Sequence, residues 1–74
     1  MKNSNLIKAR KAVGLTQSDL ASKLNYTKQA VSNWENGYST PRILDAIKIS
    51  EILNKDINHL FLESEVQENH TNSA

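Results

Sequence analysis

At 74 residues the chain has room for one small hydrophobic core, so a single, marginally stable domain is expected. It has no Cys, His59 and His70 lie outside any zinc-ligand spacing, and no apolar run is long enough for a membrane span or signal peptide; a soluble protein of a reducing cytoplasm, without metal or other cofactor, is expected. The net charge of +1 hides an asymmetry: nine basic and five acidic residues up to Leu62 give net +4, and Glu63, Glu65 and Glu68 give the remainder net −3.

Turn residues divide the chain into five short helical segments, with neither strand-like alternation nor an internal repeat, so the class is all-α. The first helix is expected from about Asn5 to Val13, capped by Ser4 or Asn3 and stopped by Gly14 in the left-handed region. Leu6, Ala9 and Val13 form its apolar stripe. Thr16 and Asp19 then read as a capping-box-like start of the second helix, which turns Leu20, Ala21 and Leu24 inward. Asn25 stands where a tight interhelical turn needs a residue tolerant of positive φ, and Thr27 caps the third helix. That helix ends at Asn36-Gly37. Thr40-Pro41 opens the fourth, with Pro expected at the first helical position, and Asn54 stops it after Leu53. Asp56 caps a last short helix to about Leu62, so the domain spans 5–62, and the acidic polar tail 63–74 reads as disordered.

On a wheel at about 100° per residue, Lys28, Gln29, Ser32, Asn33 and Asn36 share one arc of the third helix, opposite Ala30, Val31 and Trp34. Amides pair with adenine, Lys with guanine and small hydroxyls with either base or phosphate, so this face has the chemistry of major-groove reading; a merely solvated face has the same composition. Its context favours reading. Two short helices joined by about three residues, with small Ala21 at their close approach, form helix-turn-helix geometry, and Gln17 is well placed for a phosphate. Arg10 falls in the middle of the first helix's apolar stripe, where a guanidinium needs a partner. Glu35 is the expected one; snorkelling to solvent or phosphate is the alternative.

The fourth helix carries Ile43, Leu44, Ala46, Ile47, Ile49, Ile52 and Leu53, more apolar positions than one stripe hides, and Ile57, Leu60 and Phe61 add to them. Ile52, Lys55, Ile57, Asn58 and Phe61 are the residues expected at a protein interface, with plain core packing as the alternative. Catalysis finds no support: the histidines are not grouped with a nucleophile, the acids are dispersed and there is no glycine-rich phosphate loop. Trp34 falls on the apolar arc and reads as core.

The segments Leu15-Thr16-Gln17-Ser18-Asp19-Leu20-Ala21, Gln29-Ala30-Val31-Ser32-Asn33-Trp34-Glu35-Asn36-Gly37 and Thr40-Pro41 strongly resemble the Cro/CI-type, XRE-family helix-turn-helix regulators of phages, plasmids and bacteria. The resemblance covers about Leu6 to Leu62 and implies a five-helix, lambda-repressor-like domain. It implies that Lys28, Gln29, Ser32 and Asn33 face bases, that Gln17 and Asn36 hold phosphates, and that Tyr38 or Arg42 flanks the backbone. Thr16 and Thr27 are added to this phosphate-facing set. Arg10 and Glu35 match the family's interhelical ion pair. Asn25 departs from the family by replacing the usual turn Gly, and no oligomerisation domain follows, so dimerisation is expected to be weak, DNA-assisted or absent. A Cro-like repressor bound to an operator in a bacterial or phage-infected cytoplasm is implied, either as a homodimer, at least on DNA, or unpaired, and acting on no small-molecule substrate. The alternative is an antirepressor or other interaction module that pairs with a partner repressor.

Overall fold

The computed structural model describes residues 2–62. Four α-helices, α1 (Ser4–Ala12), α2 (Gln17–Leu24), α3 (Lys28–Asn36) and α4 (Ile43–Leu53), are followed by a closing π turn, Asn58–Leu62. Among the described residues there is no strand, and the expected all-α, five-helix class is the one observed. The expected tail 63–74 lies outside the described residues.

All four α-helices end at a residue of positive φ: Gly14 (77°), just after the Val13 cap of α1, and the caps Asn25 (61°), Gly37 (79°) and Asn54 (55°) of the other three. The next amide then reaches back to a carbonyl five residues earlier: Leu15 to Arg10 (3.2 Å), Tyr26 to Ala21 (2.9 Å), Tyr38 to Asn33 (2.9 Å) and Lys55 to Ser50 (3.1 Å). This Schellman geometry satisfies carbonyls that the helix leaves without partners. Asn serves at two of the four sites because its short polar side chain tolerates the left-handed region better than other L-residues.

The helix starts are equally local. Asn3 caps α1 by accepting the Leu6 amide at 3.0 Å. Thr16 and Asp19 form a reciprocal capping box at α2, with bonds of 2.9 and 3.0 Å. Thr27 caps α3 by accepting the Ala30 amide at 3.2 Å.

Leu6, Ala9, Leu20, Ala21, Leu24, Val31, Trp34, Ile49, Leu53 and Leu60 form one core, with Leu15, Ala30, Ile52 and Phe61 packed against it. Leu6, Leu20, Val31 and Ile49 are completely buried. Each of these contributes about 1.5–3 kcal/mol on leaving water. Ala21, 2% exposed, lies in this core where α2 meets α3. Asn3 joins the ends of the fold: its amide donates to the Glu35 carbonyl at 2.8 Å, and its Nδ2 donates to the Leu60 carbonyl at 2.7 Å. Asn5 Nδ2 likewise donates to the His59 carbonyl at 3.0 Å.

Three expectations are corrected. Val13 is 44% exposed and not part of the α1 stripe, because the helix ends at Ala12 and Val13 already has φ −95° and ψ 7°. Pro41 is not the first helical residue; Arg42 is the extended N-cap and Ile43 begins α4, while Pro41 lines a groove with Ile57, Phe61 and Leu62. The last segment is the expected short helix, in π form, with its His59 and Leu60 carbonyls held by the Asn5 and Asn3 side chains. Leu60 belongs to the core and adds nothing to the exposed apolar surface.

Candidate nucleic-acid interface

One side of α3 is anchored throughout. Val31, Trp34 and Glu35 are buried, and Tyr26, from the preceding turn, meets the Trp34 ring edge-on at 5.2 Å and 74°. The Tyr26 hydroxyl donates to the Asp45 carboxylate at 2.5 Å, tying the α2–α3 turn to α4. That bond holds the phenol proton and pushes the Tyr26 pKa up.

Glu35 is almost fully buried, yet it is charge-paired on both oxygens. Arg10 Nε donates to Oε2 at 2.6 Å and Nη2 to Oε1 at 3.2 Å, while Nη1 donates to the Leu15 carbonyl at 2.8 Å. Gln17 Nε2 donates to the same Oε1 at 2.9 Å. A planar guanidinium opposite a carboxylate gives two parallel charge-assisted bonds, the strong form of such a pair. The network connects the end of α1, the start of α2 and the end of α3, so it holds the two helices of the turn in register. No buried side-chain N or O among the described residues lacks a hydrogen-bond partner.

The other side of α3 is polar and faces out. Lys28 and Gln29 are exposed, and Ser32, Asn33 and Asn36 are half-exposed. Two side-chain bonds run along this face: Gln29 Nε2 donates to Asn33 Oδ1 at 2.9 Å, and Asn36 Nδ2 donates to Ser32 Oγ at 3.3 Å.

Beside this face, Arg10, Lys11, Gly14, Leu15, Thr16, Gln17, Ser18 and Lys28 line an open cleft. It brings two exposed lysines to the start of α2, where first-turn amides and the helix dipole favour an anion. The capping box occupies the amides of Thr16 and Asp19. The bond from the Thr16 amide, with the Thr16 hydroxyl beside it, holds the Asp19 carboxyl below the usual carboxylate range.

The structure therefore brings Thr16, Gln17 and Lys28 together around one cleft and sets Gln29, Ser32, Asn33 and Asn36 along one adjoining face. Thr27 sits at the helix start with its hydroxyl engaged in capping. Tyr38 (78% exposed) and Arg42 lie in the α3–α4 connection, beyond the far end of this polar face. Lys11 joins the cleft without having been singled out from the sequence; its place in the last turn of α1, on the side away from Leu6 and Ala9, was the available signal. Of the residues expected at a protein interface, Ile52 and Phe61 are half-buried against the core, Ile57 is half-buried, and Lys55 and Asn58 are exposed. The larger exposed apolar side chains near them are Ile43 (67%), Leu44 (71%), Ile47 (41%) and Leu62 (45%).

Two short helices locked across a tight turn, the second with a buried stripe and an outward row of donors and acceptors, make a helix-turn-helix DNA-binding domain. The chain belongs to the helix-turn-helix family of XRE type, the Cro/CI-like regulators: residues 6–60 match that family's model. Comparison with curated proteins gave no match. DNA-binding regulation of transcription is the function class of this family. No helix among the described residues is long and apolar enough to cross a membrane.

Proposed function

We propose that the chain is a Cro-type repressor that recognises a double-stranded DNA operator in the cytoplasm by laying α3 in the major groove. Lys28 suits the guanine O6 and N7 acceptors, the amides of Gln29 and Asn33 suit adenine, and Ser32 suits either base. Thr16, Gln17, Thr27, Asn36, Tyr38 and Arg42 contact phosphates on the two flanks. The two-faced build of α3 carries this reading: buried Val31, Trp34 and Glu35 hold a continuous polar row outward. Gln17 has a second Nε2–H, so it reaches a phosphate while its first remains on Glu35.

The partner on DNA is a second copy of the chain. Ile43, Leu44 and Ile47 form an exposed apolar ridge beside the groove that Pro41, Ile57 and Phe61 line, so one surface offers both halves of a two-fold contact. The ridge is only three side chains wide. A standard interface needs roughly 800 Å² per partner, so pairing is weak in solution and completed on an operator with half-sites one helical turn apart. The same ridge favours the second reading, an antirepressor that pairs with another repressor.

Selection of bound sequences from a random DNA pool, followed by titration at several salt concentrations, separates the readings. Under the first, a palindromic site is enriched. Gln29→Ala then costs about 1–3 kcal/mol on that site and little on random DNA. Gln17→Ala weakens both alike and lowers the salt slope by about one. Unchanged operator affinity for Gln29→Ala counts against direct reading, and enrichment of nothing favours the protein partner.

A further inference from the structure

Gln29 and Asn33 stand one helical turn apart on the outward face of α3, joined by the 2.9 Å bond from Gln29 Nε2 to Asn33 Oδ1. A primary amide has two N–H donors and a carbonyl oxygen with two lone pairs. The bond uses one donor of Gln29 and one lone pair of Asn33. Gln29 therefore keeps one N–H and its whole carbonyl oxygen, which is the pair needed to donate to adenine N7 and accept from adenine N6.

An isolated Gln side chain rotates about three bonds, and its terminal amide turns over freely, so it offers its donor and acceptor in either order. The bond to Asn33 restricts that freedom by engaging one Nε2–H. Asn33 is half-buried, whereas Gln29 is exposed. The Asn33 backbone carbonyl accepts the Tyr38 amide at 2.9 Å in the end motif of α3, which fixes the point from which its side chain projects. The neighbouring bond from Asn36 to Ser32 is longer, at 3.3 Å, and ends on a rotatable hydroxyl, so it imposes no comparable order.

We infer that Gln29 and Asn33 read a single base pair as a unit, with Asn33 as the positioning residue that orients the Gln29 amide, and that the base met is adenine. This rests on the reading of α3 as the base-reading helix. Conformational freedom lost in the free protein is not lost again on binding, so the pair gains discrimination from preorganisation.

The test uses the operator selected by the wild-type protein and a panel in which each position is changed to every other base. Binding is compared for the wild type, Gln29→Ala, Asn33→Ala, the double variant and Asn33→Asp, with circular dichroism confirming equal helix content. Both single alanine variants are expected to flatten the preference at the same A·T pair, each roughly tenfold or more, and the double variant no further than either. Asn33→Asp keeps the acceptor oxygen; it is expected to lower affinity for all DNA yet retain the preference at that pair. Flattening at two different base pairs, or a Gln29 preference that survives Asn33→Ala, overturns the inference while leaving the proposed function intact. A wild-type protein that enriches no site overturns both.

Discussion

Arg10 occupies a position that an apolar residue would fill more simply. Its side chain is 9% exposed and that of Glu35 is 3%. Desolvating two charges costs several kcal/mol each, and their attraction offsets this only when the remaining donors and acceptors are also satisfied. Here the Leu15 carbonyl and the Gln17 amide complete the set. Arg10→Met leaves the Glu35 carboxylate buried with only the Gln17 amide, and a loss of about 3–5 kcal/mol is expected. The double variant Arg10→Met/Glu35→Leu is expected to be milder, because no orphaned charge remains. Urea unfolding of both variants measures this, and equal losses would refute the coupling. The need for a partner was legible in the sequence, since Arg10 sits among Leu6 and Ala9 on the wheel. The third member was not, because Gln17 was read only for its reach to a phosphate.

Short helices of eight to eleven residues are marginal on their own, so each one here depends on its ends and on its packing. The ends were largely legible. Thr16 with Asp19, Thr27, Gly14, Asn25, Gly37 and Asn54 all act where the pattern set them, because caps and left-handed stops are decided within a few residues. The start of α4 was not. Pro41 satisfies the local rule for a first helical residue, but the helix begins two residues later, after Arg42 as the extended N-cap, and Pro41 lines a groove with Ile57, Phe61 and Leu62.

The capping box also predicts a pH dependence. The folded-state pKa of Asp19 lies below its unfolded value, chiefly because the ionised carboxylate accepts the Thr16 amide. Its stabilisation is therefore present above the unfolded pKa and lost as pH falls through the folded one. The melting-temperature gap between wild type and Asp19→Ala is expected to be constant above about pH 5 and to shrink as pH falls below about 4. Thermal denaturation followed by circular dichroism across that range checks it. A gap that stays constant to pH 3 would remove the box as its cause.

Across the whole molecule, two surfaces differ in kind. The face formed by α3 and the start of α2 is polar and basic, while the ridge of Ile43, Leu44 and Ile47 on α4 is apolar and exposed among the described residues. Leu44 is 71% exposed, so Leu44→Glu leaves the core intact. If a second copy covers the ridge, this variant is expected to bind one half-site with normal affinity and a two-half-site operator about tenfold more weakly. Gel-shift titration on the two DNAs provides the measurement. Equal affinity of wild type and variant on the full operator would rule out that contact.

The sequence by itself determined the all-α class, the ends of three helices, the turn at Asn25 and the two-faced character of α3, because each depends on interactions within about one helical turn. Only the tertiary structure decided the exposure of Val13, the place of Pro41, the clamping of the closing turn by Asn3 and Asn5, and the gathering of Lys11, Gln17 and Lys28 around one cleft. These join residues far apart in the chain, and helical periodicity specifies which face a side chain takes without specifying what it meets there.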